Sequence, residues 1–216
     1  MLPYNLVTLG PQGSGKGTQN ELLSKKFDMP ILIAGDLIRT KAKENDALGK
    51  RLRDIINRGH LIPHNDVKNL FIKATKNLQE NQTIIFDAWP RAMAQVPGFI
   101  ELIRKRVKKE FKILVIKISV DEAIKRLSKR RVCESCQTNF MPPESLTLKK
   151  CPKCQGKIIQ REDDYPKPIK TRLDVYGSET KPVIKYFAKK NKVIYINGEQ
   201  SIENVQKEIL AKLPKE

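Results

Sequence analysis

The chain has 216 residues, of which 39% are hydrophobic, which fits one large domain or one core with small insertions. No apolar run approaches the roughly 20 residues that span a bilayer, and Met1 runs almost directly into a strand pattern without a basic-then-apolar leader, so a cytoplasmic protein is expected. The 42 Lys and Arg against 24 Asp and Glu leave a formal net charge of +18, a balance that attracts nucleotides, RNA or anionic membranes, although the lysines are scattered as on a solvated surface.

In chain order, Asn5-Leu6-Val7-Thr8-Leu9 reads as a short apolar strand ending at Gly10. The turn Gly10-Pro11-Gln12-Gly13-Ser14-Gly15-Lys16-Gly17-Thr18 follows, then a helix over about 15–27 with Leu22, Leu23 and Phe27 as its apolar face. Ile31-Leu32-Ile33 is a second strand. Residues 36–59 predict helix, broken near Asn45-Asp46 and stopped at Gly59, and 63–79 predict another. Thr83-Ile84-Ile85-Phe86-Asp87 is a third strand, apolar enough to be buried on both faces. A very basic helix over 97–109, a fourth strand over 113–118 and a helix over 121–130 follow. Beyond a polar, Pro-rich segment with four cysteines come a helix over 169–190, a fifth strand over 193–196 and a last helix over 202–213. Strands alternating with helices predict an α/β fold with a five-stranded parallel sheet covered on both faces. Right-handed crossovers place the strand C-termini, and any ligand, on one edge.

A strand, a glycine-rich turn and a helix form the geometry that holds a phosphate chain. Glycines let backbone N–H groups converge, the helix N-terminus adds positive potential, and Lys16 can reach the β and γ phosphates. The strict pattern G-x-x-x-x-G-K-[ST] is not met, because Gly17 follows Lys16 and the hydroxyl comes one place later, at Thr18. The cysteines form two C-x-x-C pairs, Cys133 with Cys136 and Cys151 with Cys154, separated by 14 residues. Four thiolates at this spacing read as a closed, structural Zn²⁺ site, and a reducing compartment argues against disulfides. The segment over about 131–168 has few large apolar residues, so metal would supply much of its stability. His60 and His64 are the only histidines, and neither sits in a ligand pattern.

The form G-x-x-G-x-G-K-G-T resembles the nucleoside monophosphate kinases, and further segments resemble adenylate kinase in that family's order. Ile33-Ala34-Gly35-Asp36-Leu37-Ile38-Arg39 is similar to the segment whose arginine grips the acceptor's α-phosphate. Phe86-Asp87-Ala88-Trp89-Pro90-Arg91 resembles D-G-F-P-R. Asp121 through Arg131 resembles the helix entering the lid, and Gln160-Arg161-Glu162-Asp163-Asp164 with Lys170-Thr171-Arg172-Leu173 resembles the return from it. The resemblance implies a P-loop core over 1–32, 63–130 and 169–216, an acceptor-binding insert over 33–62 and a zinc-binding lid over 131–168. It implies ATP and AMP as partners and a monomer.

By the same resemblance, Lys16, Arg126, Arg130, Arg161 and Arg172 surround the transferring phosphoryl group while Arg39 and Arg91 hold the acceptor. The implied ATP site adds Gly13, Ser14, Gly15, Gly17, Thr18, Asn139, Phe140 and Gln200, with Phe140 as a stacking face for the base. The implied AMP site adds Ala34, His60, Leu61, Ile62, Ala88, Trp89, Pro90 and Gln95 to the arginines, Trp89 standing equally well as a core residue. Asp36 and Asp87 would hold Mg²⁺ through water, and Asp163 and Asp164 would orient lid arginines or hinge the lid. Ala34 replaces the family's usual Thr, as in UMP/CMP kinases, and Ala88 and Trp89 replace its Gly and Phe. Gln95 stands where adenylate kinases read adenine, and a primary amide suits the N6 and N1 edge. A UMP/CMP kinase with the same chemistry and a basic, RNA-associated ATPase or assembly factor on the same fold are the alternatives.

Overall fold

The computed structural model of the protein describes residues 2–76, 78–79, 82–142 and 144–214. In chain order the elements are β1 (Asn5–Leu9), α1 (Lys16–Phe27), β2 (Ile31–Ile33), α2 (Ala34–Ala42), α3 (Ala47–Asn57), α4 (His64–Ala74), β3 (Ile85–Asp87), α5 (Val96–Leu102) and β4 (Phe111–Lys117). Then come α6 (Val120–Lys129), β5 (Arg131–Cys133), β6 (Asn139–Phe140), α7 (Glu144–Thr147), β7 (Ile158–Ile159), α8 (Pro166–Val175), α9 (Lys181–Ala188), β8 (Val193–Asn197) and α10 (Ile202–Lys212). Five strands pair in parallel in the order β2-β3-β1-β4-β8.

Both faces of this sheet are apolar, because successive strand residues point to opposite sides. Val7, Phe86, Ile113 and Val115 face α4, α5 and α9 through Phe71, Phe99 and Phe187. Leu6, Ile85, Leu114 and Ile116 face α1 and α10 through Leu23, Val205 and Ile209. A sheet buried on both sides needs runs such as Ile113-Leu114-Val115-Ile116 rather than alternation. A second, antiparallel sheet of order β6-β5-β7 carries the cysteines.

Several boundaries differ from the sequence expectation for identifiable reasons. The third strand begins at Ile85, but the preceding residue is still tied to β1: the Ile84 N–H donates to Asn5 Oδ1 at 2.9 Å and its carbonyl accepts from Leu6 N–H at 2.9 Å. The fourth strand starts earlier, at the buried Phe111, which pairs with Asn5. The helix expected over 36–59 starts at Ala34, straight from β2, and restarts at Ala47, where Asp46 caps α3 by accepting from Gly49 N–H at 2.6 Å. The helix expected over 63–79 ends at Ala74, so residues 78–79 lie outside it; residue 77 lies outside the described residues. The helix over 97–109 changes to a π-type turn over Ile103–Val107. That over 169–190 starts at Pro166 and is interrupted by another over Tyr176–Thr180. An extra residue per turn slips the hydrophobic phase, but flanking helices of 7, 10 and 8 residues are too short to display the slip.

Candidate active site

β1 leads into the phosphate loop through Gly10, whose φ is +149° and where a Cβ would lie 2.4 Å from the Ile116 carbonyl oxygen. Only glycine lets the loop leave the sheet this close to β4. Gly15 stands at the N-cap of α1 with φ +91°, and no side chain caps the helix. The first-turn N–H groups therefore remain available to an anion. Lys16 Nζ donates to the carbonyls of Gly10 (3.0 Å) and Pro11 (2.8 Å). Lys16 keeps some exposed surface, yet protein surrounds its ammonium on most sides. Burial lowers its pKa to about 7 against the pull of Asp87, and Arg91, Arg172 and Arg130 push the same way as burial.

This loop forms one wall of a cleft of about 640 Å³. Gly13, Ser14, Gly15, Lys16, Gly17 and Thr18 line that wall, and Ala34, Asp36, Arg39, His60, Leu61 and Ile62 line another. Asp87, Ala88, Trp89, Arg91 and Gln95 contribute from the end of β3 onward, Arg126 and Arg130 from α6 and the residue after it, and Asn139, Arg161, Arg172 and Gln200 complete the set. Seven cationic side chains thus share the cleft with the acids Glu21, Asp36, Asp87 and Asp163.

Two expected contacts lie elsewhere. Pro90 does not line the cleft. Phe140, expected as a face for a base, is 4% exposed and packs with Cys133 and Cys151. The two-residue period of β6 turns Asn139 outward and Phe140 inward. Met141, Pro142 and Ile202 supply apolar surface in the cleft that the sequence reading missed; only their nearness to Asn139 and Gln200 in the chain could have flagged them. Trp89 serves both readings offered for it. It is 1% exposed, stacks on Phe71 with centroids 4.2 Å apart and still lines the cleft.

The arginines are held by a defined set of acceptors. Arg130 makes a two-pronged pair with Asp164, Nε to Oδ2 at 2.7 Å and Nη2 to Oδ1 at 2.6 Å. Arg172 Nη1 donates to the same Oδ1 at 3.0 Å and to the Asp163 carbonyl at 2.7 Å. The Asp164 side chain is wholly buried, so it orients both arginines. Arg126 donates to Glu122 Oε1 (2.7 Å) and to the Gly198 carbonyl (3.0 Å). Arg39 pairs with Asp36. Burial lowers Arg91 to about 10 and Arg161 to about 9, with Arg172 and Arg39 adding to the effect on Arg91, and Arg130 and Arg39 to that on Arg161. Arg161 Nε has no hydrogen-bond partner among the described residues. Cations crowded and desolvated in this way favour a polyanion between them.

Asp87, at the end of β3, is raised by burial against the pull of Lys16 and Arg91. Its carboxylate and the Thr18 hydroxyl offer hard oxygens suited to Mg²⁺ beside the phosphate loop, whereas Asp36 is engaged by Arg39. Ala88 has φ +62°, in the left-handed region that favours glycine, which accounts for the family's Gly at this position. The Trp89-Pro90 peptide is cis. Arg91 N–H donates to Gln95 Oε1 at 2.7 Å. Gln95 Nε2 has no partner among the described residues.

The four cysteine sulfurs lie within 4.8 Å of one another, with Cys133 Sγ 3.4 Å from Cys154 Sγ and Cys136 Sγ 3.6 Å from Cys151 Sγ. These separations exclude S–S bonds, which are about 2.05 Å. They approach the ~3.8 Å edge of a tetrahedron built on Zn–S bonds of about 2.3 Å. The two knuckles repeat one turn: Gln137 N–H donates to the Cys133 carbonyl at 3.0 Å and Gln155 N–H to the Cys151 carbonyl at 2.8 Å, both glutamines at positive φ. The donor set therefore fits Zn²⁺.

No helix among the described residues is long and apolar enough to cross a membrane. A family profile described as adenylate kinase matches residues 8–192. A protein described as adenylate kinase from Dehalococcoides mccartyi is 35% identical over 209 residues, covering 96% of this chain and 97% of the relative. Another so described, from Methanocella arvoryzae, is 35% identical over 213 residues, covering 97% and 98%. A third, from Archaeoglobus fulgidus, is 33% identical over 215 residues and covers 98% of both chains.

Proposed function

This chain belongs to the adenylate kinase family, and on that premise we propose that it catalyses reversible, magnesium-dependent phosphoryl transfer from ATP to AMP, giving two ADP. As a member of that family it is a nucleoside monophosphate kinase, a phosphotransferase. The observation that carries the ATP and AMP assignment is the set of seven cations that shares one cleft with the phosphate loop and with Gln95.

An α-phosphate oxygen of AMP attacks the γ-phosphorus of ATP in line, the bond to the β,γ-bridging oxygen breaks, and ADP leaves on both sides. Negative charge spreads over the equatorial oxygens, so no protein nucleophile is required. Lys16, Arg126, Arg130, Arg161 and Arg172 stabilise that charge, and Arg39 and Arg91 fix the acceptor phosphate. Thr18 and, through water, Asp87 would hold the Mg²⁺ that accompanies ATP, which would supply positive charge against the polyphosphate. Asp36 serves mainly to orient Arg39. Segment 33–62 acts as the acceptor-binding insert and 131–168 as a lid stiffened by Zn²⁺ on Cys133, Cys136, Cys151 and Cys154, around a core over 1–32, 63–130 and 169–216. Their closure excludes water and suppresses ATP hydrolysis. Asn139, Gln200 and the apolar Met141, Pro142 and Ile202 flank the donor base. Ala34, His60, Leu61, Ile62, Ala88, Trp89 and Gln95 surround the acceptor base, and the Gln95 amide N–H donates to a ring nitrogen of adenine. The enzyme acts as a monomer.

Lys16→Ala and Arg91→Ala should each retain the fold and lose at least about a hundredfold in turnover of AMP with ATP, the scale of removing one charge-stabilising group. Wild-type rates in either variant would overturn the assignment.

A further inference from the structure

Arg91 has its main chain held on both sides. Its N–H donates to Gln95 Oε1 at 2.7 Å, and its carbonyl accepts from Thr180 Oγ1 at 2.9 Å, a contact between residues 89 apart in sequence. Its side-chain Nε donates to the Ala88 carbonyl at 2.9 Å. Thr180 is 3% exposed and closes the π-type turn Tyr176–Thr180. That turn continues the helix that carries Arg172. Interruptions of this kind concentrate at functional sites in long helices. Beside the turn, Val175 and Glu179 share a smaller cleft of about 310 Å³ with Gln95 and Ala92, so the two segments are not packed solidly here. The Thr180 hydroxyl bridges them.

We propose that Thr180 is a positioning residue for the acceptor nucleotide: its hydroxyl fixes the Arg91 peptide, and with it the Arg91 guanidinium and the Gln95 amide, relative to the helix that bears Arg172. One side chain acting on one carbonyl then sets where the acceptor's phosphate and base are gripped. The inference rests on the reading of Arg91 and Gln95 as acceptor contacts. It predicts an effect confined to that nucleotide, because the donor's phosphate loop shares none of these bonds.

Steady-state kinetics of Thr180→Val and Thr180→Ser test it, with AMP and ATP varied separately and each melting temperature measured. Valine keeps the shape and removes the donor. It should raise KM for AMP about fivefold, the scale of one net hydrogen bond, and move KM for ATP less than about twofold. Serine should restore both values. An unchanged KM for AMP, an equal rise in both KM values, or a serine variant that behaves like valine would overturn the proposal. Thr180→Ala, assayed well below its melting temperature, must show the same split, which separates positioning from general destabilisation. Arg91→Ala serves as the control. If it leaves AMP turnover intact, the acceptor-site reading fails; if it abolishes turnover while Thr180→Val is silent on KM for AMP, only the role of Thr180 fails.

Discussion

The five-stranded core packs Phe71, Phe86, Trp89, Phe99, Phe111 and Phe187 into a chain of ring contacts with centroids 4.2–6.3 Å apart. The small sheet of β5, β6 and β7 buries Cys133, Phe140 and Cys151, backed by the partly buried Leu148 and Ile158. Burial at about 25 cal/mol per Å² of apolar surface can hold the first together and has little to act on in the second. Four sulfurs within 4.8 Å of one another can give this segment the order that burial does not, by sharing a metal. On the proposed reading, a phosphate loop built on the packed core sits beside a segment whose stability is set separately.

That difference is broken most sharply by removing the metal. Structural zinc contributes on the order of 10 kcal/mol or more in small domains. Chelation, or Cys151→Ser, should therefore collapse amide protection across β5 to β7 while the amides of β1 and β4 stay protected. Hydrogen exchange reads both regions at once, and uniform loss or uniform retention would show that the two are not independent.

A smaller break lies at their junction. Asp164 accepts from Arg130 and Arg172 with its side chain wholly buried. Asp164→Ala leaves two buried guanidinium groups without this carboxylate and should cost about 3–5 kcal/mol. Turnover should fall with it, because both arginines lose their orientation. Chemical denaturation measures the first effect and a rate assay the second. A stable, fully active variant would remove Asp164 from the account.

The finest probe acts on the cradle alone. Burial holds Lys16 near 7 in the free protein. A bound polyphosphate restores its ordinary, higher pKa, so ATP binding above pH 7 should take up a proton and affinity should fall as pH rises. Calorimetry at pH 8 in two buffers of different ionisation heat reads the uptake. It should vanish in Lys16→Ala, and its absence from the wild type would contradict the electrostatics given for the loop.

The same contrast explains what the sequence disclosed. Gly10 through Thr18 is legible because each position answers a backbone requirement, and two C-x-x-C pairs because metal geometry fixes their spacing. The apolar runs over 5–9 and 113–116 declare the parallel core, although the strand order did not follow from them. Phe140 was misplaced because a two-residue strand carries too little pattern to tell its inner face from its outer one. The tie between Thr180 and Arg91 was invisible, since a contact across 89 positions depends on a π-type turn whose phase slip is too slight to read between helices of 10 and 8 residues. The family's Gly at position 88 marked a backbone need that became readable only from the φ of +62° that Ala88 adopts.

The identity of the acceptor is decided by a substrate panel with ATP as donor. AMP, CMP, UMP and GMP are each supplied in turn, and the diphosphate product is followed by phosphorus NMR. ATP and AMP should give two ADP, with at least about tenfold lower kcat/KM for the other three, as expected when Gln95 loses its partner. Preferred turnover of CMP or UMP, or none with any monophosphate, would contradict it.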